Sequence, residues 1–211
     1  NCMRQFSSQG LKHLMRLAKC DVKSSLSSED IGFSIGPRLN AAGRLGQAQL
    51  GVELLTCDSE ERAEQLAIYI EELNKNRKKL EKRITDGAKK LIDENHDVEQ
   101  EAALVLTEPD WHLGVIGIAA GRIASTYQRP TVVISTDPLN DRPGIGSCRS
   151  SCGVDLYKAL QGCQQHLIKF GGHKAAAGIS IDPKNIDAFR EDFCEQVINQ
   201  VGINELIPDL E

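Results

Sequence analysis

Three short stretches combine glycine with polar side chains in ways that packing alone does not require, and Trp111-His112 is a further candidate. Gly171-Gly172-His173-Lys174 sits between the apolar approach Leu167 to Phe170 and the run Ala175-Ala176-Ala177-Gly178. Adjacent glycines let consecutive backbone N–H groups converge on one point, a concavity suited to a phosphate oxygen. The neighbouring histidine adds a donor that can carry charge near neutral pH. The same residues also read as a plain glycine turn with an exposed histidine, and both readings stand. In Gly144-Ile145-Gly146-Ser147-Cys148-Arg149-Ser150-Ser151, an extended backbone puts Ser147 and Arg149 on one side, two residues apart. A hydroxyl beside a guanidinium makes an anion clamp, because arginine can hold two phosphate oxygens at once. The Gly-Lys-Ser/Thr ending of a Walker loop is absent. The third stretch, Gly32 to Arg44, carries Arg38, Asn40 and Arg44 among three glycines and a proline, and reads as an irregular loop. Its arginines either meet an anion or brace the chain by bonding carbonyls. In Trp111-His112 the indole packs or stacks on a base, and the imidazole can serve the start of the following helix.

Metal chemistry has less to stand on. A metal-dependent phosphoesterase needs several Asp and His ligands converging on one or two cations. Asp137 and Asp141 flank Pro138 with no histidine near in sequence, and His13, His96, His112, His166 and His173 form no H-x-x-x-H or D-H-H cluster. No complete metal site is expected in this chain. The seven cysteines are scattered and make no C-x-x-C pair; Cys148 and Cys152 are poorly spaced for a zinc knuckle. Reduced, structurally passive thiols are the expectation.

The elements that hold these stretches fall into two textures. Residues 11–20 read as a short helix with Leu11, Leu14, Met15 and Ala18 on one face, and another short helix is expected at 48–56. From Asp58, taken as N-cap with Glu61 following, a narrow stripe of Ala63, Leu66, Ile70, Leu73, Leu80, Ile84 and Leu91 predicts one helix to about Asn95, interrupted by Arg77 and softened by Gly87. At ~1.5 Å per residue that rod would run about 57 Å, long enough to bridge two bodies or to bend near Gly87. Beyond residue 101 the pattern alternates. Strands are expected at 102–107, 131–135 and 177–181, and helices at 114–126, 155–162 and 185–201, the last with Ile186, Phe189, Phe193 and Val197 inward. That is an α/β signature: a compact α/β domain joined by a long helix to an incomplete, helical N-terminal piece.

The chain has 211 residues, 40% hydrophobic and 26% charged, which excludes disordered and fibrous classes. Aromatics make up only 4%, so the core must be aliphatic. No apolar run approaches the ~18 residues of a membrane span. The formal charge of −5 excludes a wholly basic nucleic-acid binder. Yet residues 74–90 hold Lys75, Arg77, Lys78, Lys79, Lys82, Arg83, Lys89 and Lys90 against two acids, a local balance of +6 that leaves −11 elsewhere. This stretch is either a solvated helix face or a surface that tracks phosphates. The start, Asn1-Cys2-Met3-Arg4, has neither an initiator methionine nor a secretory pattern, so a fragment of a longer chain is expected.

Five motifs occur together in one order: IGPRLNAAGR (35–44), EELNKNRKKLE (71–81), WHLGVIGIAAGRI (111–123), GSCRS (146–150) and FGGHKAAAG (170–178). Over residues 10–200 the chain thereby resembles the RecJ family of single-strand-specific exonucleases, in the DHH phosphoesterase superfamily. The resemblance implies a cytoplasmic enzyme of DNA repair and recombination that degrades single-stranded DNA from the 5′ end with Mn²⁺ or Mg²⁺. The metal ligands would lie in a DHH domain upstream of Asn1, so this fragment would bind no metal and be inactive alone. Residues 1–57 would be the tail of that domain, 58–96 the connecting helix, 97–201 the DHH-associated substrate-binding domain, and 202–211 the lead-in to an oligonucleotide-binding domain.

By position, Gly171, Gly172 and His173 resemble the superfamily's Gly-Gly-His motif, which closes over the scissile phosphate, with His173 in the catalytic role. Ser147 and Arg149 match the motif implicated in holding the 5′-terminal phosphate, and Arg38, Asn40 and Arg44 match a loop facing the same cleft. Leu113 and Lys174 depart from the usual residues after Trp-His and Gly-Gly-His. Partners implied are single-stranded DNA and single-strand-binding or repair proteins, with a monomeric full-length enzyme. The competing readings are a phosphoesterase of short oligoribonucleotides or cyclic dinucleotides, and a non-catalytic binding module.

Overall fold

The structure is a computed structural model that describes residues 8–201 except 24, 140 and 152. The expected lead-in at 202–211 therefore lies outside the described residues. The chain divides between Lys79 and Leu80 into two compact units.

The first unit is helical. Helix α1 (Gln9–Leu17) is capped by Ser8 and buries Leu11, Leu14 and Met15, as its spacing predicts. The glycine-rich stretch read as an irregular loop is instead a π-helical turn, Asp30–Ile35, running directly into α2 (Gly36–Arg44). Pro37 stands in the first turn of α2, where its fixed φ suits a helix. Helix α3 (Ala48–Thr56) follows. Leu11, Leu14, Ile35, Ala42, Leu54, Leu66 and Ile70 share this unit's core.

The long helix α4 (Glu60–Asn95) is one unbroken element of 36 residues, about 54 Å at helical rise. Its first turn is served by Ser59, whose hydroxyl accepts from the Arg62 N–H at 3.3 Å, rather than by Asp58. Ala63, Leu66, Ile70 and Leu73 are buried, and further along so are Ile84, Ala88 and Ile92. Between these two apolar runs the buried positions turn polar: Asn74, Arg77, Glu81 and Thr85. Arg77 thus leaves the basic face and donates to Asn74 Oδ1 at 2.9 Å, while the other seven basic side chains face solvent.

The second unit is a mixed sheet of five strands in the order β1-β2-β3-β5-β4. They are β1 (Leu104–Pro109), β2 (Thr131–Thr136), β3 (Gly144–Arg149), β4 (Leu167–His173) and β5 (Ala176–Ile181). β1 and β2 run parallel, joined through α5 (Leu113–Tyr127), and all other pairings are antiparallel. One face packs on α6 (Leu156–Gly162) and α7 (Ile186–Val201) through Val132, Ile134, Cys148, Ile179, Phe189 and Phe193. On the other face Leu104, Leu106 and Val133 meet α5 and the end of α4 through Ile84, Ala88, Ile116 and Ile123. The α/β class holds, with β3 and β4 as strands beyond the three expected. No described helix is long and apolar enough to cross a membrane.

Candidate functional site

Side chains alternate along a strand, and directly opposed residues of antiparallel strands share a face. The register therefore says which residues meet. Arg149 on β3 pairs with Ala176 on β5, which pairs with His173 on β4. Ser147 pairs with Gly178, which pairs with Gly171. Two parallel rows result, Arg149–Ala176–His173 and Ser147–Gly178–Gly171, on one face of the sheet. At ~4.8 Å between strands, Arg149 and His173 stand about 10 Å apart along the row. Middle positions are glycine or alanine, so the space between the two polar ends holds no bulky side chain. Gly171 has open space where a side chain would be, and Gly178 is exposed.

A third row extends the same face. Ile145 pairs with Ser180, and Ser180 with Lys169, whose side chain is exposed. Lys169 was not singled out by the sequence motifs, although its alternation with Gly171 and His173 was a signal for it.

Arg149 is half-buried and held in place. Its Nη1 donates to Ser147 Oγ at 2.9 Å and to the Cys148 carbonyl at 2.7 Å. Helix α5 makes room for it with glycine: a Cβ on Gly117 would stand 2.8 Å from Arg149 Nη2 and 2.9 Å from Ser147 Oγ, and one on Gly121 3.9 Å from Arg149 Cγ. These two glycines were missed from sequence, where their four-residue spacing in the expected helix was the available clue. Cys148 points to the opposite face and is fully buried. Burial pushes its thiol up to about 12, outweighing the lowering by Arg149, so no thiolate forms beside the guanidinium.

His173 closes the β4 strand before a two-residue turn, Lys174-Ala175, into β5. The Gly-Gly-His motif is thus strand rather than the turn that adjacent glycines suggested. Gly172 takes φ 146°, and a Cβ there would lie 2.4 Å from the Ala176 carbonyl, so this position needs glycine. The Ala175 N–H donates to His173 Nδ1 at 3.3 Å. The ring thus accepts at Nδ1, which leaves Nε2 as its donor atom. The turn itself is tied down, its Ala175 carbonyl accepting from Ser150 N–H at 3.2 Å and its Lys174 carbonyl from Leu156 N–H at 2.9 Å.

The remaining candidates belong to other elements. Arg38, Asn40 and Arg44 belong to α2, in the first unit. Arg38 is engaged as a brace, with Nε 2.6 Å from Glu71 Oε2 and Nη1 2.6 Å from the Ser34 carbonyl. Asn40 and Arg44 lie four residues apart on exposed positions of the helix. Trp111 packs in the core beneath α5, and His112 is the N-cap of that helix, its Nδ1 accepting from Gly114 N–H at 3.1 Å. Among the described residues no three His, Cys, Asp or Glu side chains are grouped so as to hold a metal ion. These described side chains offer no donor set that fits a divalent cation. The described cysteines Cys20, Cys57, Cys148, Cys163 and Cys194 are free thiols.

The Ser147–Arg149 pair and a glycine-framed histidine on one sheet face set this unit apart from a generic α/β fold. Residues 100–199 match the family model of the DHHA1 domain. They are a DHHA1 domain. The chain around this DHHA1 domain is homologous to RecJ. It is 35% identical over 208 residues to the single-stranded-DNA-specific exonuclease RecJ of Bacillus subtilis (strain 168), covering 98% of this chain and 26% of the relative. The crystal structure of RecJ from Thermus thermophilus in complex with Mg²⁺ superposes with a TM-score of 0.80 at 29% identity, covering 98% of this chain and 30% of that one. The Mn²⁺ complex from the same organism gives 0.79 at 30% identity, covering 93% of this chain and 28% of that one. The chain thus spans between a quarter and a third of these proteins, and the Thermus thermophilus one has been crystallised with Mg²⁺ and with Mn²⁺.

Proposed function

We propose that this chain is the DNA-binding part of a metal-dependent exonuclease that hydrolyses single-stranded DNA from the 5′ end, and that its β3–β5–β4 face receives the 5′-terminal phosphate. The observation that carries this reading is the shared row of Arg149 and His173, with Ser147 and the glycine-lined floor beside them. A terminal phosphate carries more negative charge than an internal phosphodiester. Arg149, pre-oriented by Ser147 and the Cys148 carbonyl, reads that difference through charge-assisted hydrogen bonds of about 1.5–3 kcal/mol each. Pre-orientation matters because less side-chain freedom is lost when the anion arrives. His173 Nε2–H then donates to the phosphate to be cleaved, while the glycines at 171 and 178 let the strand lie close to the sheet.

The hydrolytic metals, Mn²⁺ or Mg²⁺, would be held by a DHH domain that the described residues do not supply, with residues 8–57 as its helical tail, α4 as the connection, and DNA as substrate inside the cytoplasm. The exposed basic side chains of α4 would attract the strand electrostatically despite the net charge of −5. The test is to mix the purified chain with a fluorescent single-stranded oligonucleotide in Mn²⁺. Binding without nucleotide release is expected, and Arg149→Ala should weaken it. Release of nucleotides by this chain, or equal affinity for duplex and single strand, would overturn the reading.

A further inference from the structure

A second polar groove lies on the other shoulder of helix α5. It is a cavity of about 540 Å³ between α4 and α5, lined by Thr85, Lys89, Ile118, Gly121, Arg122, Ser125 and Thr126. Two cations and three hydroxyls in so few lining positions make a surface chemically matched to an anion. Three further observations point the same way. Thr85 is 8% exposed, and its hydroxyl has no hydrogen-bond partner although the residue lines the cavity. A buried hydroxyl without a partner is costly to keep, so a ligand that supplies one is favoured. Arg122 Nε ion-pairs with the buried Glu81 carboxylate at 2.6 Å, which fixes the side chain while most of it stays exposed. Finally, Gly121 belongs both to this lining and to the edge that admits Arg149.

We infer that this groove binds a phosphodiester phosphate of the same strand whose 5′ end occupies the Ser147–Arg149 clamp. Lys89 supplies the charge, Arg122, whose Nε is paired with Glu81, offers its remaining N–H donors, and the Thr85 and Ser125 hydroxyls supply uncharged donors. Gly121 is the crossing point, because without a side chain there the sugar–phosphate backbone can pass from clamp to groove close against the helix. The contacts inferred here are to the phosphate and not to base edges, so the groove's contribution is independent of sequence. This inference rests on the proposed 5′-end reading, and the experiment separates the two.

The affinity of the full 211-residue chain for a 5′-phosphorylated ten-nucleotide dT strand is measured against salt, with Lys89→Gln, Thr85→Val and Arg149→Ala, and in parallel with inorganic phosphate. Lys89→Gln is expected to weaken the strand about tenfold and to reduce the salt slope by ~0.7, the value for one phosphate contact on a single strand. Thr85→Val, which changes no charge, is expected to raise the melting temperature by removing an unpartnered hydroxyl, yet to bind the strand about threefold more weakly. If Thr85→Val raises the melting temperature with wild-type binding and Lys89→Gln leaves the slope unchanged, the groove is only a packing defect. With Arg149→Ala still impaired, that outcome overturns the groove and keeps the clamp. Loss confined to Lys89→Gln and Thr85→Val would keep the groove as a phosphate site and overturn the clamp. Tight binding of inorganic phosphate at Lys89, with no loss of strand affinity in either groove variant, would mark a free-phosphate site and refute the strand assignment.

Discussion

Gly117 keeps no side chain because the space is taken by Arg149 Nη2 and Ser147 Oγ, at 2.8 and 2.9 Å from where a Cβ would stand. Alanine is the better helix former by about 1 kcal/mol. Both obstructing atoms are ends of flexible side chains, so Gly117→Ala is expected to leave the melting temperature near wild type while pushing the guanidinium aside. Affinity for a 5′-phosphorylated strand should fall about tenfold, as titration would record. Gly172→Ala behaves differently, because its Cβ would meet backbone, 2.4 Å from the Ala176 carbonyl, at φ 146°. A loss of about 2 kcal/mol or more is expected in a denaturant titration. The thiols give a third test. Burial holds Cys148 and Cys163 up at about 12. Iodoacetamide at pH 8 should therefore label half-buried Cys57 in the native protein and reach Cys148 and Cys163 only on unfolding, as peptide mapping would show.

The π-helical turn before α2 depends on Asp30, whose Oδ2 accepts from the Ser27 N–H and hydroxyl, each at 3.0 Å, and whose Oδ1 pairs with Lys23. The Lys23 hydrogen bond, then the Ser27 N–H, hold its carboxyl down at about 2 against the usual 3.8. A depressed folded value means that stability is fully present above pH 3.8 and is lost as the pH falls toward 2. Circular dichroism across that window should show the first unit weakening, and Asp30→Asn should be less stable at neutral pH with a flatter acid limb. An equally steep acid limb in Asp30→Asn would remove Asp30 from this role. How well such elements could be read beforehand depended on periodicity. Helices α1, α4 and α7 bury the faces their spacing announced, as Ile186, Phe189, Phe193 and Val197 illustrate. The π-turn and α2 were hidden by Gly32, Gly36 and Pro37, which normally signal a loop but here fall in a helix's first turn or its approach. Strand β4 was hidden because Lys169 to His173 are mostly exposed, so no apolar alternation marks them. Ser147 and Arg149 were legible as a pair because their alternation survives in β3; their meeting with His173 was not, because it depends on β5 lying between β3 and β4.

In the molecule as a whole, charge is organised rather than abundant. The net value is −5, yet seven basic side chains of α4 face solvent and Lys169 and Arg149 share one sheet face. Such a protein should bind single strands with strong salt dependence, losing ~0.7 log units of affinity per log unit of salt for each phosphate contacted. A flat salt response would mean that the basic side chains touch no phosphate. The decisive comparison isolates the end of the strand from its length. Affinities of the chain for one dT oligonucleotide, carrying either a 5′-phosphate or a 5′-hydroxyl, are measured at a single salt concentration for the wild type and for Arg149→Ala. The wild type is expected to prefer the phosphorylated strand about tenfold or more, and Arg149→Ala to lose most of that preference while still binding both strands. Equal affinity of the wild type for the two strands, or a preference that survives in Arg149→Ala, would contradict the assignment of Ser147 and Arg149 as the clamp for the 5′ end.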